Sequence, residues 1–240
     1  MKQFSRPVVL SAISFAAGLV CLCLRQWLLT AGVDSKGLLL PGHPGNILSM
    51  ILAAMVLVPL ALSLPGNTRY RFIASPLSTT GLLLGAFGYA WTALSFFRTG
   101  TTVLALITGC AALLGSVGTL AAAVFQHKRA RLSAFLHCPR ILFYVLFLLC
   151  RYQRWSGEPE LQRYLFALLG AVAMMLSHYR RAVAVDEKGT EKFYLPLSRA
   201  ALFFCMAAIP GNDCAVLFGT EALSILLDGC TRVVRSNHGV

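Results

Sequence analysis

Hydrophobic residues along this chain neither alternate nor keep to one helical stripe. They gather into runs of about 20, divided by short segments rich in Gly, Pro, Arg and Lys, which is the length a helix needs to cross a bilayer. Eight such runs occupy 8–30, 46–64, 76–97, 101–125, 136–155, 164–180, 193–210 and 212–234. The reading is an all-α, polytopic helical integral membrane protein. One transmembrane domain covers 1–240, with about eight transmembrane helices and short loops.

The punctuation supports these boundaries. Pro-Gly-Asn recurs at Pro44, Pro65 and Pro210, each a turn, with Asn46 and Asn212 placed to cap the helix that follows. Only Arg98, Thr99 and Gly100 join the third and fourth runs, which makes them an antiparallel hairpin. Gly81 and Gly85 on one, and Ala111, Gly115 and Thr119 on the other, form small-residue stripes that let the two backbones approach. The N-terminal stretch imitates a signal peptide but has no A-x-A site, so it reads as an uncleaved first helix.

Composition sharpens the class. Of 240 residues, 57% are apolar and 12% charged, against about 25% charged in a soluble domain. The spans leave about ten residues per connection, too few for an independently folded soluble domain. The net charge of +12 sits between the runs, where the positive-inside bias and anionic headgroups account for it without nucleic acid.

The fifth run is the weakest, because only 141–150 is strongly apolar. If it spans, 14 Lys or Arg fall on one side and five on the other; if it does not, the split is 11 to eight. The stronger bias selects eight spans, with both termini cytoplasmic in the cell membrane. On this reading Arg140 and Arg181 are cytoplasmic, and Arg151 and Arg154 beside Tyr152 and Trp155 form an outer interfacial belt. The basic segment 126–137 reads as a helix extension near the headgroups.

Candidate chemistry is sparse. The eight cysteines show no C-x-x-C or Cys/His spacing, so neither a metal nor a disulfide frame is expected. No H-E-x-x-H, G-x-S-x-G or Walker-type motif occurs, so no catalytic residue or cofactor is assigned.

Acidic residues are the informative feature. Six of the nine lie in loops, and Asp213, Glu221 and Asp228 all fall in the last run. Asp213 complements the helix dipole. Glu221 lies near the bilayer midplane, where an ionised group costs about 2.5–3.5 kcal/mol or more. Asp228 follows two turns later on nearly the same face.

Arg199 in the seventh run sits at the depth of Asp228, about 9 Å from the cytoplasmic end, and is its expected partner. Arg25 in the first run is the other embedded cation and the remaining partner for Glu221. His178 reads as a packed or interfacial histidine. Glu221, Asp228, Arg199 and Arg25 are therefore the ligand- or ion-binding candidates. Two functions fit: a permease, or the membrane subunit of one, moving a small molecule or ion past the last helix; or a non-catalytic sensor, assembly or accessory subunit. In the second, basic cytoplasmic loops dock a membrane or cytoplasmic protein. The lipid bilayer is the common partner.

Overall fold

The computed structural model describes residues 6–34, 38–40, 42–63, 70–71, 75–126, 130–155, 161–185, 194–229 and 234–235. Among these lie nine helices: α1 (Arg6–Ala31), α2 (Pro44–Ser63), α3 (Pro76–Thr99), α4 (Val103–Phe125), α5 (Ala130–Phe135), α6 (Cys138–Trp155), α7 (Leu161–Val185), α8 (Tyr194–Ala208) and α9 (Ala215–Gly229). A short antiparallel pair, β1 (Tyr70–Arg71) and β2 (Val234–Arg235), completes the elements. Each of the eight runs is a helix, so the chain is an all-α membrane protein.

Among the described residues, four stretches are long and apolar enough to cross a bilayer: Val9–Ala31, Pro76–Thr99, Val103–Phe125 and Leu132–Gln153. The last includes the weak fifth run. Their outward faces carry residues such as Val103, Val117 and Val124, each more than 60% exposed, which lipid rather than water must cover. The helix α8 is shorter, but every residue from Ala200 to Ala208 is buried, so neighbouring helices and not lipid surround it.

Six helices close a ring: α3 packs on α4, α4 on α6, α6 on α7, α7 on α8, α8 on α9, and α9 back on α3. The pair α1 and α2 lies outside it, against α8. Ser75 caps α3 by accepting from the Ser78 amide at 3.1 Å, and Pro76 follows where its missing N–H costs nothing. Thr102 caps α4 in the same way at 3.2 Å.

Several boundaries differ from the sequence reading. Asn212 does accept from the Cys214 amide at 2.9 Å, but α2 begins at Pro44, and His43 Nδ1 takes the Gly45 amide at 3.1 Å in place of Asn46. The last helix stops at Gly229 rather than 234, since Val234 and Arg235 pair with Arg71 and Tyr70. That pairing puts the second connection and the end of the described chain at one end of the bundle. The contacts of α5 and β1 with α7 bring the fourth connection there too. This is the basic end; the turns α3–α4 and α8–α9 form the opposite one.

The glycine stripe on α3 faces a different helix from the one expected. A Cβ on Gly81 would lie 3.0 Å from the Ser224 carbonyl oxygen of α9, and one on Gly88 would overlap the Thr220 hydroxyl. Glycine thus brings α3 against α9 and closes the ring, while the α4 stripe receives the Tyr89 ring, 3.2 Å from the Cβ position of Gly115. Gly81→Val is expected to cost about 1–3 kcal/mol through overpacking against backbone, read as a lower melting midpoint of the detergent-purified protein. Gly219→Ala, whose Cβ meets nothing nearer than Ile209 at 3.8 Å, is the tolerated control.

Candidate functional site

The interior of the ring is polar at mid-depth, and every ring helix lines it. Tyr89 comes from α3, Thr119 from α4, Arg140 and Tyr144 from α6, His178 from α7, Cys205 from α8 and Glu221 from α9, all fully or almost fully buried. Glu221 sits seven residues into α9, about 9 Å along its axis.

His178 organises the layer. Its Nδ1 lies 3.3 Å from Arg140 Nη1, and its Nε2 lies 3.3 Å from the Tyr89 hydroxyl and 3.4 Å from Glu221 Oε1. A guanidinium only donates, so Nδ1 is the accepting nitrogen and the single ring proton resides on Nε2, directed toward Tyr89 and Glu221. The rings of Tyr144 and His137 stack with it, at centroid distances of 5.9 and 6.4 Å. Arg140 Nε donates to Thr119 Oγ1 at 2.5 Å, which in turn donates to the Gly115 carbonyl at 2.6 Å.

Arg140 therefore reaches Glu221 through a neutral imidazole rather than by a direct hydrogen bond. Among the described residues, no hydrogen bond reaches either oxygen of Glu221, Nη2 of Arg140 or the hydroxyl of Tyr144. Buried polar atoms in this state are costly, so a cluster of them around one carboxylate calls for an explanation.

Toward the basic end the second acid of α9 is tightly held. Asp228 is gripped by both terminal nitrogens of Arg181, with Nη2 to Oδ1 at 3.2 Å. Arg181 Nη2 also donates to Ser78 Oγ at 3.1 Å, Ser78 donates to Gln126 Oε1 at 3.2 Å, and Gln126 Nε2 donates to Thr79 at 2.7 Å. A two-pronged guanidinium pair has fixed geometry as well as charge. It joins α7, α9, α3 and the end of α4 beneath the Glu221 layer.

Toward the opposite end, the ring opens into a vestibule of about 610 Å³ among Ser95, Thr99, Thr102, Cys150, Asp213 and Cys214. Phe96 lines its floor, and Phe147 and Phe218 continue the aromatic layer, with centroids 6.5 and 6.2 Å apart in sequence. Arg151 does not snorkel outward as the sequence suggested. It is 5% exposed, pairs with Asp213 at 3.1 Å, donates to Cys214 Sγ at 3.1 Å and lies over the Phe147 ring. Tyr152 of that belt is exposed, and Arg154 and Trp155 lie outside the described side chains.

Of the sequence candidates, Glu221 and Asp228 share the inner face of α9 with Ser224 between them, as their spacing required. Arg25 is buried against the Phe166 ring of α7, 4.7 Å from its centroid, and Arg199 is buried in α8. The carboxylate of Asp228 is occupied by Arg181, a residue the depth comparison had not considered.

Arg140 and Arg181, cytoplasmic on the charge count, are 0% and 3% exposed inside the ring. Removing them and Arg151 from the charge count leaves twelve against four, with the same bias. The signal available for Arg181 was its spacing: it follows His178 by three residues, which puts both on one helix face. Among the described residues, no three His, Cys, Asp or Glu side chains gather as a metal site. Compared with protein-family models, curated proteins and solved structures, the chain matches none.

Proposed function

We propose that this protein is a permease, or the membrane subunit of one, which moves a proton or a small polar solute along the axis of the six-helix ring. Glu221 is the central binding carboxylate. The observation that carries this reading is Glu221 itself: fully buried at mid-depth, with the His178 imidazole 3.4 Å from Oε1 and no close hydrogen bond to either oxygen among the described residues. The layers in line with it add support. A vestibule leads to the Phe96, Phe147 and Phe218 layer, then to Glu221, and the Arg181–Asp228 pair closes the basic end.

In this reading the vestibule opens outward and the basic end faces the cytoplasm, with both termini on that side, which the distribution of Lys and Arg supports. A ligand entering from the vestibule passes the aromatic layer, meets Glu221 and leaves when the lower pair parts. The docking alternative rests on basic loop residues such as Lys128, Arg129, Lys188 and Lys192, which lie outside the described residues. The axial order of mouth, constriction, carboxylate and closed pair favours transport.

The test uses liposomes loaded with a pH-sensitive dye and reconstituted with the purified protein. Under an imposed pH gradient, wild type is expected to carry a flux above protein-free liposomes, and Glu221→Gln to bring it down to that background. Gln keeps the shape and one acceptor, and Arg140 keeps Thr119 and His178, so the melting midpoint of the variant is expected to stay within about 3 °C of wild type. Equal flux in the two proteins, or collapse of the variant's fold, removes the transport role from Glu221.

A further inference from the structure

Among the described residues, two Arg–Asp pairs lie along the ring, and they are built differently. Arg181 grips Asp228 with both terminal nitrogens, and both side chains are enclosed. Arg151 donates to Asp213 from Nη1 at 3.1 Å, while its Nη2 goes to Cys214 Sγ, also at 3.1 Å. A thiol sulfur is a weak acceptor, so that prong of the fork has a better partner in any carboxylate oxygen. The Asp213 side chain is 58% exposed against 6% for Arg151. Water competes for an exposed carboxylate, so Asp213 is held weakly and can be exchanged.

Both residues line the vestibule, whose volume of about 610 Å³ lies in the range of cavities that take small molecules. The guanidinium is set over two aromatic rings, its central carbon 5.8 Å from the Phe96 centroid and 5.3 Å from that of Phe147. A planar fork fixed in this way is already placed for two-pronged recognition of a carboxylate. The rest of the described wall is uncharged and offers hydroxyls, such as those of Ser95 and Thr99, and the Phe96 ring. The charges of the wall therefore sum to zero. A simple anion on Arg151 would stand beside the Asp213 carboxylate and be repelled by it. A simple cation on Asp213 would draw it away from a buried guanidinium. A solute that carries both charges satisfies both residues.

We propose that the vestibule is a binding site for a small zwitterion of the α-amino-acid class. Its carboxylate takes the fork of Arg151, its ammonium takes Asp213, and an apolar side chain lies toward Phe96. In an α-amino acid one carbon bears both charged groups, so they reach two residues that begin in contact. Binding exchanges one protein contact for two to the solute. Glu221 takes no part, so the site does not rest on the transport reading; on that reading, the zwitterion is the solute recognised at the mouth.

The test is the melting midpoint of the full-length protein in detergent with glycine, L-leucine or L-phenylalanine at about 5 mM. The controls are acetate, isocaproate and hydrocinnamate, which are the same molecules without the ammonium. At least one amino acid is expected to raise the midpoint by about 3 °C or more, and its control by less than about 1 °C. In Asp213→Asn the advantage in affinity of the amino acid over its control is expected to fall about tenfold or more. In Arg151→Gln neither is expected to shift the midpoint. Asp213 is exposed, so its variant stays readable even where Arg151→Gln is too unstable to purify. No shift with any of the three amino acids, equal shifts from amino acid and control in wild type, or full retention of the shift in either variant overturns the site. An amino acid that binds but does not enter liposomes leaves the vestibule site in place and removes the transport reading. Proton flux that depends on Glu221, without amino-acid binding, does the reverse.

Discussion

Asp228→Ala is expected to lower stability by about 3–5 kcal/mol, the range for removing one partner of a buried ion pair. The loss arises less from the missing attraction than from the guanidinium left behind. Arg181 is 3% exposed and also donates to Ser78, so its charge stays buried when the carboxylate is removed. Asp228→Asn retains an oxygen acceptor and is expected to lose less. Replacing both partners, Arg181→Met with Asp228→Leu, removes the stranded charge and is expected to recover most of the stability. The check is the melting midpoint of all four proteins in one mild detergent. A double variant no more stable than Asp228→Ala would show that the pair is not what holds this end together.

A comparable loss, about 3–5 kcal/mol, is expected for Arg140→Met. The guanidinium does three things at once: it satisfies Thr119, fixes the His178 tautomer through Nδ1 and balances Glu221 across that ring. Without it, His178 loses the donor at Nδ1 that fixes its tautomer, and Glu221 loses the guanidinium that balances it across that ring. Adding Glu221→Gln to Arg140→Met removes that charge, and the double variant is expected to be more stable than Arg140→Met alone by about 1–3 kcal/mol. Additive losses in this cycle would mean that the two groups do not interact through His178. Together the two cycles separate the pair that closes the ring from the pair that surrounds the carboxylate.

The helices were legible in the sequence because a bilayer admits few alternatives: a run of about 20 apolar residues has to satisfy its own backbone, and a helix does so. Glu221 and Asp228 were legible for a related reason, since an acid inside such a run has no trivial explanation. The cations that face them were not. Arg140 and Arg181 lie close to run ends, where a basic residue is ordinary, and nothing local distinguishes one that turns inward from one that meets headgroups. His178 suffered from the same position. Burial of these three depends on helices distant in sequence, above all α9.

The glycine stripe on α3 shows a similar limit. Small residues at spacing four announce close packing but not the partner, and the nearest helix in sequence, α4, was the natural choice. It does pack there, through Ser116 donating to the Ala86 carbonyl at 2.9 Å, yet the glycines themselves turn to Ser224 and Thr220. Arg151 misled in the opposite direction. Flanked by exposed Tyr152, it resembles an interfacial anchor until Asp213 and Cys214, more than 60 residues away, come round to meet it.

The closure of the ring by α9 has a consequence for biogenesis. A ribosome delivers α3, α4, α6 and α7 to the membrane before α9 exists, and by then Arg140 and Arg181 are already committed, without Glu221 and Asp228, to what will become the interior. Until the final hairpin of α8 and α9 inserts, Arg140 and Arg181 lack the carboxylates of α9, and the glycine seam on α3 lacks the helix that faces it. Insertion of α9 supplies both missing anions and fills the seam in one event. Closure of the ring therefore waits for the last helix: a chain ending before residue 215 lacks both acids and the surface that the α3 glycines meet.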